Sequence, residues 1–343
     1  MNKELSFRSL PRIDLRGFTS PVQPLPRLSE ELGLEVWVKR DDLGSVGLAG
    51  NKVRKLEMEL ARAREVGATH IVTEGSRHSN ATRAAAAAAA AIGMKCTLVL
   101  CHDEPKEPVG NLLLDALFGA DLRLVGDVSW VELARLTEDV VRELEAAGER
   151  VYRLPIGSAT GRGATSFARA YIEADEQIRA QGAEFRTLVH ASSAGSTHSG
   201  LVLGRALSGA STRVIGVVVA GEVYDDVPGN YLRLANEAAG LLAPGVQITA
   251  DDLELTEDYL GEGYGKPAPG VMEAIDLMAR LEGIVVDPVY TGKAVAAIID
   301  MARKGSIEGP VLFWHTGGYH AIFDPHYTSV MWSAIPRLGS IQL

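Results

Sequence analysis

The sequence predicts an α/β protein made of two open, twisted parallel sheets with helices on both faces. Three observations carry this reading. Short β-branched runs alternate with amphipathic stretches along most of the chain, the alternation starts twice, and Gly/Ser-rich loops sit where strands hand over to helices. Repeated strand–helix units of this kind build parallel sheets covered by helices.

The elements follow in order. Residues 35–40 (EVWVKR) read as a strand, and 51–67 (NKVRKLEMELARAREVG) as a helix with Val53, Leu56, Leu60 and Ala63 on one face and a stop at Gly67. THIVTEG (69–75) is a strand, and SNATRAAAAAAAAIG a helix capped by Ser79 or Asn80 and ended by Gly93. KCTLVLC is a strand, VGNLLLDALFG a helix, DLRLVG a strand, VSWVELARLTEDVVRELEAAG a long amphipathic helix, and ERVYRLPIG closes the first series. The second series opens after Gly157–Gly163 with helix ATSFARAYIEADEQIRAQG, strand TLVHAS, helix THSGLVLGRALSG and strand TRVIGVVVAG. A polar, Asp/Glu-rich section comes next, then helices GVMEAIDLMARLEG and KAVAAIIDMARKG and a last strand, GPVLFWHTGG. The two units meet near 50–55 and again near 155–165. This predicts one domain of residues 1–50 plus 165–343 and a smaller one of 51–164.

With 343 residues there is chain enough for two cores. A net charge of -10 argues against a nucleic-acid partner or an anionic membrane surface. Cys96 and Cys101 make neither a metal motif nor a disulfide framework, which fits a reducing cytoplasm. The first residues have no apolar leader core, and no run of about 18 uncharged apolar residues occurs. A soluble cytoplasmic protein is expected.

Ligands of open parallel sheets bind beyond the carboxyl ends of the strands, on helix N-termini. The loops AGNKVRK, GSRHSN, SSAGSTHSG and HTGG fall at such places. In SSAGSTHSG, small residues bring backbone N–H groups close to an anion while Ser196 and Thr197 add hydroxyls, so a phosphate fits; a plain helix cap reads as well. A nucleotide reading is weak, because neither a Walker sequence nor a dinucleotide fingerprint is present. GSRHSN offers a seat for a carboxylate at Ser79 and Asn80, or simple N-capping. Lys52 and Lys55 stand at a helix start, where the macrodipole disfavours cations. A partly desolvated Lys52 beside Arg54 and Lys55 has a lowered pKa, which suits a Schiff-base lysine. Loop tyrosines Tyr264 and Tyr290 add acidic hydroxyls. A reactive lysine, a phosphate cup, a carboxylate seat and hydroxyls together describe pyridoxal 5′-phosphate with a small amino-acid substrate.

KRDDLGSVGLAGNKVRKLE, DPVYTGKA and LFWHTGG resemble the D-cysteine desulfhydrase and 1-aminocyclopropane-1-carboxylate deaminase family, fold type II pyridoxal-phosphate enzymes of the tryptophan synthase β superfamily. The similarity spans about residues 20–325. It implies a cofactor in the cleft between the two domains, and a homodimer. It implies that Lys52 forms the Schiff base and shuttles the Cα proton, and that Lys55 faces the phosphate with Ala194, Gly195, Ser196 and Thr197. Asn80 would bond the cofactor's 3′-hydroxyl, Ser79 with its neighbour Ala81 would hold the substrate carboxylate, and Tyr264 and Tyr290 would line the substrate side and orient, or protonate, the leaving portion. Thr316 would sit near the pyridine nitrogen. The ring-opening deaminases carry Glu where this chain has Thr291, and an aliphatic residue where it has Thr316, so the resemblance favours α,β-elimination. Ring opening and β-replacement on the same scaffold are the alternatives, and a non-catalytic binding protein a more distant one. The chain departs from the family pattern at Arg77, His78 and His320, which stand where an aliphatic residue, Gln and Pro are usual. These added cationic groups lead to an expected pocket for a second anion on the substrate, such as the sulfonate of cysteate.

Overall fold

The alternation folds into two sheets, one of six strands and one of four. The structure is a computed structural model and describes residues 10–335 except 45, 49 and 102–108. In chain order the elements are β1 (Val22–Pro24), α1 (Pro26–Leu32), β2 (Val36–Arg40), α2 (Asn51–Glu65), β3 (His70–Ser76), α3 (Asn80–Ile92), β4 (Lys95–Cys101), α4 (Gly110–Leu117), β5 (Asp121–Leu124), α5 (Trp130–Ala146) and β6 (Val151–Leu154). The second half adds α6 (Gly161–Arg179), β7 (Thr187–Ser192), α7 (Ser196–Ser208), β8 (Arg213–Val218), α8 (Val227–Leu242), β9 (Glu254–Thr256), α9 (Val271–Leu277), α10 (Thr291–Arg303), β10 (Val311–His315) and α11 (Pro325–Ala334).

The smaller sheet is parallel throughout, in the order β5-β4-β3-β6. The larger runs β1-β2-β10-β7-β8-β9, with Val311 of β10 opposite Val36 on one side and Thr187 on the other. Its one departure from the expected parallel sheet is β1, an antiparallel edge strand. Both faces of the larger sheet are covered. Val311 and Phe313 point into a core with α1, α9 and α10, while Leu312 and Trp314 point into another with α6, α7 and α8. The alanine run explains itself here: Ala84, Ala85, Ala86, Ala88 and Ala89 are buried with Val53, Leu56 and Leu60 of α2 and Leu98 of β4, and small side chains let α3 lie close to both.

Helix α8 occupies part of the section read as polar. Its buried stripe of Val227, Tyr231, Leu234, Ala235, Ala238 and Leu242 is hidden in sequence by the acidic approach, whose Asp226 is the N-cap, accepting from the Gly229 amide. A buried ionic network fixes α2 to the larger sheet. Arg54 on α2 donates from Nε and Nη2 to Asp41 and from both Nη atoms to Glu173 on α6, and Lys39 also binds Glu173. Burial alone would raise the Asp41 pKa, but the Arg54 guanidinium outweighs it and holds the carboxyl well below its ordinary range. Among the described residues no helix is long and apolar enough to cross a membrane, and no His/Cys/Asp/Glu group is placed to hold a metal ion.

Candidate active site

The C-terminal ends of β3, β7 and β10 release the loops 76–80, 192–196 and 316–318, and the start of α2 lies against the last of these. The Asn51 amide donates to the Thr316 carbonyl (3.0 Å). A Cβ on Gly317 would stand 2.8 Å from the Gly50 Cα, so neither chain segment tolerates a side chain at this crossing. Two adjoining cavities, of about 430 and 410 Å³, open between these loops and share Lys52, Asn80, Ser193, Ala194 and Tyr290. They form one cleft with two lobes.

Lys52 lies in the first turn of α2, its Nζ 3.4 Å from the Gly157 carbonyl oxygen. Burial lowers its pKa to about 8, and the neighbouring Lys55 amine acts in the opposite sense. Of the two expected causes, desolvation accounts for the drop; the neighbouring cations do not, because Lys55 acts in the opposite sense and Arg54 is turned away into the Asp41–Glu173 network. Lys55 is fully buried, and burial together with the Lys52 charge pushes its pKa well down. No described carboxylate pairs with either amine. Two amines side by side without an acid, Lys55 buried and Lys52 half-buried, ask for an anion or for chemistry that removes a charge.

The smaller lobe supplies the anion seat. Lys55, Ala194, Gly195 and Thr197 line it, with Thr316 and Asn51. Gly195 has φ +97°, and a Cβ there would strike the Tyr231 ring at 2.4 Å, so the loop can enter α7 only with glycine. The first amides of α7 have no partner within the helix. Ser196 Oγ is buried without a hydrogen-bond partner, and Thr197 Oγ1 accepts from Asn51 Nδ2 (3.0 Å).

The larger lobe is lined by Ser79, Asn80 and Ala81 on one side and by Tyr264, Tyr290 and Trp130 on another. Ser79 is the N-cap of α3, its Oγ accepting from the Ala81 and Thr82 amides, which leaves its own proton to donate. The orientation of Asn80 follows from its neighbours. Asn111 Nδ2 lies 2.6 Å from the His78 carbonyl oxygen, which can only accept, and 3.1 Å from Asn80 Oδ1. Asn80 therefore presents its oxygen to Asn111 and to His320 Nε2 (2.8 Å), and keeps Nδ2 as a free donor on its other side. Tyr264 and Tyr290 share a 2.6 Å hydrogen bond, and Ser76 Oγ is 3.1 Å from Tyr264. Burial raises the pKa of both tyrosines, so both keep their protons at neutral pH. Asp287 sets Tyr290 in place by accepting from the amides of Val289, Tyr290 and Thr291.

Some expected residues lie elsewhere. Arg77 Nη1 and His78 Nδ1 approach Asp324, at 4.0 and 3.3 Å, and neither lines the cleft. His320 is buried, and burial lowers its pKa to about 3, so it is a neutral donor to Asn80 and no cation. The expected anion pocket is therefore not assembled. Thr291 is also outside the cleft, its hydroxyl bonded to Asp287 (2.5 Å), whereas Thr316 lines the smaller lobe. Trp130 and Asn111 carry no motif of their own, and Asp287, although it opens DPVYTGKA, is not marked as a site residue by the sequence.

The family described as "Pyridoxal-phosphate dependent enzyme" matches residues 13–317. The chain belongs to this family. This pyridoxal-phosphate-dependent enzyme is 39% identical to a 1-aminocyclopropane-1-carboxylate deaminase of Burkholderia lata, over 94% of this chain and 99% of the relative. It is 37% identical to a D-cysteine desulfhydrase of Salmonella choleraesuis, over 92% of this chain and 96% of the relative. A solved structure titled as an ACC deaminase homologue superposes with a TM-score of 0.88 at 35% identity, covering 97% of this chain and 99% of that one. The residues present fit the cofactor. The acid-free lysine pair, with Gly195 and Thr197 at the start of α7 in the same lobe, matches an aldehyde and a phosphate on one flat ring; Ser196, buried at the same helix start, does not line either cavity.

Proposed function

We propose that the enzyme is a lyase that catalyses α,β-elimination from a β-substituted amino acid, yielding a 2-oxo acid and ammonia. The observation that carries the reading is Lys52, half-buried with a pKa of about 8, set where the phosphate-cup lobe meets the lobe lined by Ser79 and the two tyrosines. When bound, pyridoxal phosphate supplies an aldehyde for amines and a ring that withdraws electrons from the substrate's Cα. Lys55, the α7 amides and Thr197 hold the phosphate, and Asn80 Nδ2 donates to the ring oxygen. Ser79 and the amides beside it hold the substrate carboxylate. Lys52 Nζ, with its pKa lowered to about 8 and so half in the free-base form at that pH, takes the Cα proton. Tyr290 and Tyr264, both protonated, give a proton to the departing group.

Two observations favour elimination over ring opening. Thr291, where the resembling deaminases carry a Glu, is engaged with Asp287, and Thr316 offers only a hydroxyl in the cleft. The enzyme is offered both enantiomers of cysteine and β-chloroalanine, and 1-aminocyclopropane-1-carboxylate. Pyruvate from a β-substituted substrate is expected; 2-oxobutyrate from the cyclopropane with no pyruvate from the others would overturn the reading. A cytoplasmic homodimer belongs to the same proposal, and light scattering of the purified enzyme tests the dimer.

A further inference from the structure

Among the described residues, the larger lobe ends in a largely apolar wall without a charged side chain. Trp130 at the start of α5 lines it with Ile156, Val223, Tyr264 and Tyr290. Trp130 belongs to the smaller-sheet half, between β5 and β6, and Tyr264 to the larger-sheet half, and their rings meet edge to face with centroids 5.9 Å apart. The wall is thus closed across the cleft by an aromatic pair. Lys52 is the basic side chain of this lining among the described residues, and the neighbouring basic side chains are engaged elsewhere: Arg77 and His78 with Asp324, and neutral His320 with Asn80. At the start of α5, Ser129 accepts from the Glu132 amide, and Glu132 already places a carboxylate in the first turn, which disfavours a second anion there. A second anion on the substrate would be desolvated here with no second cation beside it among the described lining residues.

We propose that this wall selects amino acids whose β-substituent is uncharged and apolar, as in S-aryl and S-alkyl cysteines, and that Trp130 is the specificity-determining residue. The inference rests on the elimination reading above. The step balances without an oxidant or reductant. Lys52 takes the Cα proton, the C–H electron pair becomes the Cα–Cβ double bond, and the Cβ–S bond breaks with its electrons going to sulfur. The sulfur takes a proton from the tyrosine pair and leaves as a thiol, and water converts the remaining enamine to a 2-oxo acid and ammonia.

The holoenzyme is assayed with S-phenylcysteine, cysteate and β-chloroalanine, each enantiomer separately. Independently, phenylalanine and aspartate, which lack a leaving group, are titrated against the absorbance of the bound cofactor. S-phenylcysteine is expected to exceed cysteate in kcat/KM, and phenylalanine to bind more tightly than aspartate, each by at least about tenfold. Trp130→Ala lowers both ratios severalfold and Trp130→Phe restores them. Equal handling of aryl and anionic partners, or ratios that Trp130→Ala leaves unmoved, would overturn the proposal. If β-chloroalanine also yields no pyruvate, the elimination reading fails by itself, and the phenylalanine–aspartate titration still decides what the wall selects.

Discussion

Replacing His320 by Leu removes one of the two donors to Asn80 Oδ1, the 2.8 Å bond from Nε2, and leaves the 3.1 Å bond from Asn111. Because the acceptor keeps one partner, the loss is that of one net hydrogen bond, about 1 kcal/mol. Asn111→Leu loses its bond to Asn80 and also the 2.6 Å bond to the His78 carbonyl, about 2 kcal/mol in all. The double variant strips Asn80 Oδ1 of its last donor and adds a desolvation penalty of about 1–3 kcal/mol beyond the sum. Asn80 is then free to turn its oxygen toward the cofactor's ring oxygen, which lowers cofactor affinity by about tenfold. Urea unfolding gives the stability cycle, and equilibrium dialysis with pyridoxal phosphate gives the affinity. His320→Gln, which can still donate, recovers most of both. Since burial keeps His320 neutral down to about pH 3, none of this varies between pH 5 and 9. Strict additivity of the two single variants, with cofactor affinity unchanged in all three, would refute the reasoning.

Other outcomes follow from the same geometry. The apoprotein's reaction with an aldehyde, trapped by borohydride at successive pH values, has a midpoint near 8 for Lys52 instead of the ordinary lysine value of 10.5; a midpoint above 10 would show that burial does not act as described. Gly195→Ala forces an L-residue to φ +97° against the Tyr231 ring, costing at least about 1–3 kcal/mol and abolishing tight cofactor binding, as thermal melting with and without pyridoxal phosphate would show. Burial raises Glu74, which accepts from the Ile156 amide and Arg153, to about pH 7. A carboxyl raised in the fold favours folding below its unfolded value of 4.5, and that contribution is lost as pH rises through 7. Glu74→Gln therefore flattens the fall in stability between pH 4.5 and 7, by at most about 3 kcal/mol; an unchanged slope in urea unfolding against pH contradicts this.

The sheets were legible because their strands are continuous apolar runs, the mark of strands buried on both faces. Lys52, Asn80, Thr197, Tyr264 and Tyr290 were legible because loop position and motif agree for each. Helix α8 was missed because Asp225, Asp226 and Pro228 mask a stripe that begins only at Val227. Arg77, His78 and His320 were misjudged for a different reason. Sequence reveals that a side chain can be charged, but Asp324 and Asn80, which engage these residues, lie 240 or more positions away. Burial, which decides the charge of His320 and the pKa of Lys52, is likewise a property of the fold and not of neighbours in the chain. Trp130 reaches the cleft only because α5 begins there, a fact that spacing does not encode.

The central claim is that Lys52 is the amine that carries the cofactor. Reducing the purified holoenzyme with borohydride, digesting it and sequencing the peptide that retains pyridoxyl absorbance tests it directly. The label is expected on Lys52, with the visible band bleached and Lys55 unmodified. A label on Lys55 or on any other lysine, or a reduced protein that releases all of its cofactor on denaturation, would contradict the account.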